Sequence, residues 1–124
     1  MDKILLVGIG GSFGAIARYG VYQLSKASLT SAFPVPTLVI NLAGCLLAGI
    51  FFESMRDHQW FSTLSLFFAM GFLGSFTTFS TFGLETFQLM RNGDIALALL
   101  NVGANTVLGL GAVALGTWIV SILK

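Results

Sequence analysis

The sequence predicts an all-α integral membrane protein with four transmembrane helices, and three observations support this. Of its 124 residues, 56% are hydrophobic and only 9% are charged, whereas ordinary soluble domains carry roughly 25% charged residues. Four apolar stretches approach or exceed the length of about 20 residues that crosses a bilayer. The segments between them are short, which leaves no room for a linker or a second domain. We therefore expect one membrane domain over residues 1–124.

Composition also excludes several functional classes. The net charge of +1 provides no basic surface for nucleic acid. The single cysteine, Cys45, allows no disulfide within the chain, and the single histidine and scattered acids form no metal or nucleophile constellation. We expect no enzyme activity.

The four predicted spans cover residues of about 4–24, 37–54, 60–90 and 95–123. The first could resemble a signal peptide, but its apolar pattern continues to Leu24, so we interpret it as a retained span. Pro34 and Pro36 suit a loop followed by a helix start. Gly10 and Gly14 form a GxxxG pattern, which favours close helix packing.

The third span is too long for a straight crossing. Its roughly 31 residues would measure about 46 Å as a helix, against a hydrocarbon core of about 30 Å. Near its middle lies the glycine- and hydroxyl-rich stretch 71–78. Such residues are common where a membrane helix breaks and finds new backbone partners. We therefore predict a break near the bilayer midplane; a straight, tilted helix is the alternative.

Three phenylalanines follow at intervals of three residues: Phe76, Phe79 and Phe82. This spacing places them along one drifting stripe of the helix. Core packing is the ordinary role of such a stripe. The edge of a phenylalanine ring also carries partial positive charge, so ring edges could instead contact an anion.

Other polar side chains are predicted to lie in the same half of the bilayer as this stripe. Amide and hydroxyl donors there could replace the hydration shell of a small anion, or the amides could join helices to one another. Arg18 could extend to the membrane surface, pair with an acid such as Glu85, or attract anions. These residues are Arg18, Asn41, Ser80, Glu85, Asn101 and Asn105.

The positive charges give no clear orientation in the membrane. Lys3, Arg56 and Lys124 would lie on one side, and Lys26 and Arg91 on the other. Either the N-terminal residues decide the orientation weakly, or the chain inserts both ways. Because the spans carry more polar groups than one small bundle can hide from lipid, we expect a homo-oligomer, most simply a dimer.

Three segments together resemble the CrcB/Fluc family of fluoride ion channels: GGSFGAIARY at 10–19, NLAG at 41–44 and GSFTTFSTF at 74–82. The resemblance covers nearly the whole chain. It implies an antiparallel, dual-topology homodimer in the cell inner membrane, with two pores lined by both subunits. The implied function is passive, electrogenic export of fluoride, which protects the cell from fluoride toxicity.

The resemblance also implies roles for individual residues. Phe79 and Phe82 would turn their ring edges toward the ion. Backbone carbonyls of Gly74 and Thr77, from both subunits, would hold a structural sodium ion at the dimer centre. Arg18 and Glu85 would supply supporting charge. Asn101 and Asn105, which we also assign to the pore, stand where the family often has tyrosine and serine. The other implied pore residues are Asn41, Ser80 and Thr81.

Three other functions remain as alternatives. A fluoride/proton exchanger is one, and Glu85 alone supports it. A small multidrug-type exporter also has four short spans, but its proton coupling needs a membrane acid, usually in the first span, and residues 4–24 contain none. A non-transporting membrane subunit would leave the polar third span unexplained.

Overall fold

The computed structural model describes residues 2–27 and 31–124, and its regular structure in these ranges is entirely helical. Four helical segments in it are long and apolar enough to cross a membrane, which confirms the four predicted helices. The predicted loop at 25–36 includes residues 28–30, which lie outside the described residues.

The first helix, Lys3–Ala27, runs three residues beyond its predicted end. The second, Val35–Met55, begins just after Pro34, and Pro36 lies in its first turn, where a missing N–H costs no hydrogen bond.

The third span contains two helical parts separated by extended backbone. Its first part comprises an α-helical turn at Phe61–Ser65, a π-helical segment at Leu66–Leu73 and a final α-helical turn at Gly74–Phe76. Thr77 and Thr78 are extended, with ψ angles of 158° and 113°. Helix resumes at Phe79–Arg91. The extended residues stand at the C-terminal end of the glycine- and hydroxyl-rich stretch.

The fourth span, Ile95–Leu123, is helical throughout. It contains a π-helical segment, Ala104–Leu108, between α-helical parts at Ile95–Gly103 and Gly109–Leu123. Gly93 joins it to the third span with a φ of 85°, a backbone angle that glycine adopts without strain.

Close helix contacts depend on glycine at two places. Gly10 and Gly14 of the first helix face the main-chain carbonyls of Phe67 and Phe72. Gly49 of the second helix faces the main chain of the fourth span at Val113, and Gly116 of the fourth span faces the main chain of the second helix at Leu46. The first helix therefore packs on the first part of the third span, and the second helix packs on the fourth. Because glycine has no side chain, the two backbones can approach closely and make dispersion contacts. Such contacts matter here because the hydrophobic effect does not drive helices together within lipid.

A ladder of aromatic rings stiffens the first part of the third span. Phe68, Phe72 and Phe76 stack at intervals of four residues, with ring centroids 5.3 and 5.7 Å apart. Phe51 of the second helix adds a ring 4.8 Å from that of Phe68. Phe76 is buried, so the first member of the predicted phenylalanine stripe is a packing residue.

We predict that Gly10→Ala lowers thermal stability, whereas Gly8→Ala does not. An added Cβ at Gly10 would collide with the Phe67 carbonyl, while at Gly8 it meets nothing within 4 Å. Overpacking of this kind costs about 1–3 kcal/mol. Thermal unfolding of the purified variants in detergent, followed by circular dichroism, measures the difference. Equal melting temperatures for both variants would contradict the proposed close contact.

Candidate functional site

The side chain of Asn41 pairs with the extended backbone at Thr78. The Thr78 N–H donates to Asn41 Oδ1 at 3.0 Å, and Asn41 Nδ2 donates to the Thr78 carbonyl at 3.3 Å. A carboxamide offers one acceptor and two donors, so it can satisfy both main-chain groups of one residue. This pairing replaces the bonds that helical backbone would have made, because extended backbone inside a membrane protein needs internal partners.

Thr78 also caps the helix that begins at Phe79. Its hydroxyl accepts from the Thr81 N–H at 3.2 Å and donates to Thr81 Oγ1 at 2.9 Å. The Thr78 and Ser80 hydroxyl oxygens are 3.4 Å apart. Threonine at this position satisfies one of the amides that a helix start leaves unpaired. The cap gathers three hydroxyl groups at one helix N-terminus.

The same bonds redirect two amides away from nearby carbonyls. In a continuous α-helix the Thr78 N–H would donate to the Gly74 carbonyl, and the Thr81 N–H to the Thr77 carbonyl. Here these amides donate to Asn41 Oδ1 and Thr78 Oγ1 instead. The Gly74 and Thr77 carbonyls therefore lack their usual helical donors, and Gly74 lies at an exposed position.

A groove of about 280 Å³ opens beside the extended segment. Phe79 and Phe82 form one side of it, with ring centroids 5.4 Å apart and planes inclined at 50°. Phe79 is 83% exposed, the highest value among the exposed large hydrophobic side chains of the described residues. The remaining lining residues are Asn41, Cys45, Thr77, Thr78, Asn105 and Thr106.

This groove contains aromatic, amide, hydroxyl and thiol groups but no charged side chain. The hydroxyl hydrogens of Thr77 and Thr78 are donated to the Leu73 carbonyl and to Thr81 Oγ1. Ring edges, and hydroxyl groups whose hydrogens are not committed in this way, can each attract a small anion weakly. Neither Ser80 nor Thr81 is among the described lining residues of this groove. Ser80 is exposed and follows Phe79 directly, and Thr81 is partly exposed and lines the neighbouring cavity. The arrangement can therefore contact a dehydrated anion without binding it as tightly as a full cation would.

Amides of the fourth span extend the network that begins at Asn41. Asn41 Nδ2 donates to Asn105 Oδ1 at 3.0 Å. Asn105 Nδ2 donates in turn to the side-chain and main-chain oxygens of Asn101, at 2.9 and 3.0 Å. Asn101 is 0% exposed and is not among the groove residues. Asn105 thus lies at the groove, and Asn101 lies behind it.

Thr86 joins this network although no pattern in the sequence pointed to it. Its hydroxyl accepts from Asn101 Nδ2 at 2.9 Å and donates to the Phe82 carbonyl at 2.7 Å. A single threonine on a helix carries no spacing signal, so only the packing of the third span against the fourth reveals this contact.

The two charged candidates, Arg18 and Glu85, lie outside the groove. Arg18 lines a second cavity of about 360 Å³ that also contains Thr37, Thr78 and Thr81. Glu85 Oε1 accepts a hydrogen bond from Thr37 Oγ1 at 2.9 Å, and its Oε2 is buried without a hydrogen-bond partner among the described residues.

A pairing of Arg18 with Glu85, one of the alternatives raised for Arg18, is not among the ion pairs of the described residues. Those ion pairs join Arg56 to Glu53 and Asp57. Glu85 instead faces a cavity of about 340 Å³ at one end of the helices, which Lys26 and Gln88 also line.

We predict that Asn41→Leu destabilises the fold, because the N–H and carbonyl of Thr78 would both lose their side-chain partner. A buried polar group left unpaired costs about 1–3 kcal/mol, so the loss should reach roughly 2 kcal/mol or more. Thermal unfolding in detergent measures it. Asn92→Leu, at an exposed position, is the matched control. A melting temperature for Asn41→Leu equal to that of the control would show that the pairing contributes nothing.

Comparison with known proteins places this arrangement in a family. The family described as "CrcB-like protein, Camphor Resistance (CrcB)" matches residues 5–117. A protein of Dehalococcoides mccartyi named fluoride-specific ion channel FluC is 41% identical over 127 aligned residues, which cover 100% of this chain and 96% of that protein. Proteins of the same name from Paracoccus denitrificans and Salinibacter ruber are 45% and 40% identical, over 90% and 94% of this chain and 89% and 87% of their own lengths. The match extends through all four helices, and the chain belongs to the CrcB-like family.

Proposed function

We propose that this protein is a fluoride-selective ion channel that exports fluoride passively and electrogenically. Its family and the names of its relatives support this function. The structural observation that carries it is the uncharged groove, in which the rings of Phe79 and Phe82 lie beside hydroxyl and amide groups. The chain is a multi-pass membrane protein, and we place it in the inner membrane of a bacterial cell.

Selectivity for fluoride over chloride would follow from how well the groove replaces the water around each anion. Fluoride is small and accepts strong hydrogen bonds, so closely spaced hydroxyl donors can replace its water. Chloride is larger and would gain less from the same donors in a narrow path. Several weak contacts in succession allow an ion to enter and still leave, which conduction requires.

The residues divide into contacts and supporting groups. Phe79 and Phe82 present ring edges, and Ser80 and Thr81 supply hydroxyl donors. Arg18 and Glu85, in cavities beside the groove, set the electric field along the approach. Asn41 and Asn105 line the path as amides.

The active unit in this proposal is an antiparallel homodimer with two pores, in which the third span is broken near the midplane. The extended Thr77–Thr78 backbone supports a break. Ser80 and Gly74 are exposed in one protomer, and a hydroxyl or a free carbonyl facing lipid would be costly. A second copy in the opposite orientation would cover these groups and complete each groove. The balanced positive charges allow insertion both ways.

A structural sodium ion at the dimer centre is compatible with the backbone. Sodium is a hard cation that takes oxygen ligands, and the carbonyls of Gly74 and Thr77 lack their usual helical donors. Two copies of this segment would bring four such carbonyls together. Bound there, sodium would neutralise the negative potential of the carbonyl groups and hold the two subunits together.

We predict that purified protein in liposomes releases fluoride rapidly under a potassium gradient with valinomycin and retains chloride. Phe79→Ile and Phe82→Ile should each slow fluoride release roughly fivefold to tenfold, because each removes an aromatic contact of about 1 kcal/mol. Phe87→Ile is the matched control, since Phe87 is an exposed phenylalanine on the same helix. Fluoride retention by folded wild-type protein would exclude the channel.

We also predict labelling from both sides of the membrane. In a Cys45→Ser background, Gln59→Cys and Asn92→Cys place single thiols in loops at opposite ends of the third span. An impermeant maleimide added to sealed cells should label about half of each variant if the chain inserts both ways. Complete labelling of one variant and none of the other would establish a single orientation and exclude the antiparallel dimer.

A further inference from the structure

The hydroxyl of Thr86 connects the fourth span to the turn that carries Phe82. It is buried, donates to the Phe82 carbonyl and accepts from Asn101. The neighbouring side chain on the same helix, Glu85, bonds to the second helix through Thr37. Thr86 therefore connects Phe82, whose ring lines the groove, to Asn101, which is completely buried.

The amide hydrogens along this network are fully used at two successive residues. The two hydrogens of Asn41 Nδ2 go to the Thr78 carbonyl and to Asn105 Oδ1. Both hydrogens of Asn105 Nδ2 go to oxygens of Asn101. An amide whose hydrogens are committed to protein oxygens has none left for an anion. These amides maintain the shape of the groove rather than bind within it.

The hydrogen-bond network passes through the π-helical segment of the fourth span. Asn105 lies within the segment Ala104–Leu108, and Asn101 lies one turn before it. A π-helical segment widens the helix and weakens its regular i to i−4 bonding, and such segments are common at functional positions. Here the side chain of Asn105 supplies a donor to the main-chain oxygen of Asn101. The hydrogen bonds then run without interruption from Thr78 to Phe82.

We infer that Thr86 and Asn101 form a positioning pair: they set the Phe82-bearing turn against Asn41 and the extended segment, and neither touches the ion. This inference rests on the proposed function and assigns Asn101 to the support of the groove instead of its lining. The two ends of the network are Thr78, next to Phe79, and the carbonyl of Phe82. The network thereby fixes the separation of the two rings from the hydroxyl donors.

The test compares substitutions that remove or retain the Thr86 hydroxyl. Thr86→Val preserves shape but removes the group that Asn101 donates to, and Thr86→Ser retains it. Thr117→Val is the matched control, because the Thr117 hydroxyl bonds only within its own helix, to the Ala114 carbonyl. Asn101→Leu removes the partner, and the double variant completes a mutant cycle.

Fluoride efflux, the fluoride-to-chloride ratio and the thermal midpoint are measured for each variant. We expect Thr86→Val and Asn101→Leu to slow fluoride efflux about tenfold, the size expected for one lost buried hydrogen bond, and to lower the fluoride-to-chloride ratio. Thr86→Ser and Thr117→Val should remain near the wild-type rate and ratio. The double variant should be no slower than the slower single variant, because both changes break the same contact.

The inference is overturned if wild-type protein carries fluoride and Thr86→Val and Asn101→Leu match it, or if Thr86→Ser is as slow as Thr86→Val. Additive effects in the double variant would also overturn it. If wild-type protein carries no fluoride, the proposed function fails, and the cycle in thermal midpoints still reports whether the two side chains are coupled. Should Thr86→Val not fold, Thr86→Ala with Thr117→Ala as control replaces it in every comparison.

Discussion

The pairing of Asn41 with both main-chain groups of Thr78 is the interaction on which the rest of this structure depends. Extended backbone between two membrane helices exposes an N–H and a carbonyl, and neither can be left unpaired away from water. One carboxamide satisfies both, at 3.0 and 3.3 Å. By accepting from the Thr78 amide, it also withdraws that amide from the Gly74 carbonyl. A single side chain of the second helix thus permits the extended segment and releases a backbone oxygen beside it.

The glycine contacts make this pairing possible by bringing the helices close. The second and fourth helices meet at Gly49 and Gly116, and the first helix meets the third span at Gly10 and Gly14. These contacts form two helix pairs. Asn41 joins the second helix to Thr78 of the third span, and the network continues through Asn105 and Asn101 of the fourth span back to the third span at Thr86. Packing between backbones brings the helices close together, and the hydrogen bonds orient the side chains between them.

Sequence patterns predicted the parts that depend on composition over many residues. Four apolar stretches were enough to predict four helices, and their ends fall within a few residues of the predicted ones. The prediction could not find the two π-helical segments, because a π-helix has no hydrophobic period of its own in so apolar a stretch. The sequence placed Asn101 and Asn105 on one face, and their side chains do bond to each other. Spacing could not show that Asn101 is completely buried while Asn105 reaches the groove, because burial depends on how the neighbouring helices pack. Thr86 was invisible because its role depends on a partner 15 residues away on another helix.

The charged side chains of Arg18 and Glu85 lie outside the groove, whose described lining residues are uncharged and include Asn41 and Asn105 of the hydrogen-bond network. A guanidinium within the lining would bind an anion strongly, and an ion held strongly leaves slowly. Arg18 lines a separate cavity, which shares only Thr78 with the groove among their described lining residues. In the proposed channel its field would reach the groove without contact, while hydroxyl groups and ring edges would make the contacts with the ion. Because the hydrogens of Asn41 and Asn105 already bond to protein oxygens, the contacts that remain in the groove are individually weak. Rapid passage of an anion requires that weakness, and a rigid backbone at Thr78 keeps the weak contacts in place.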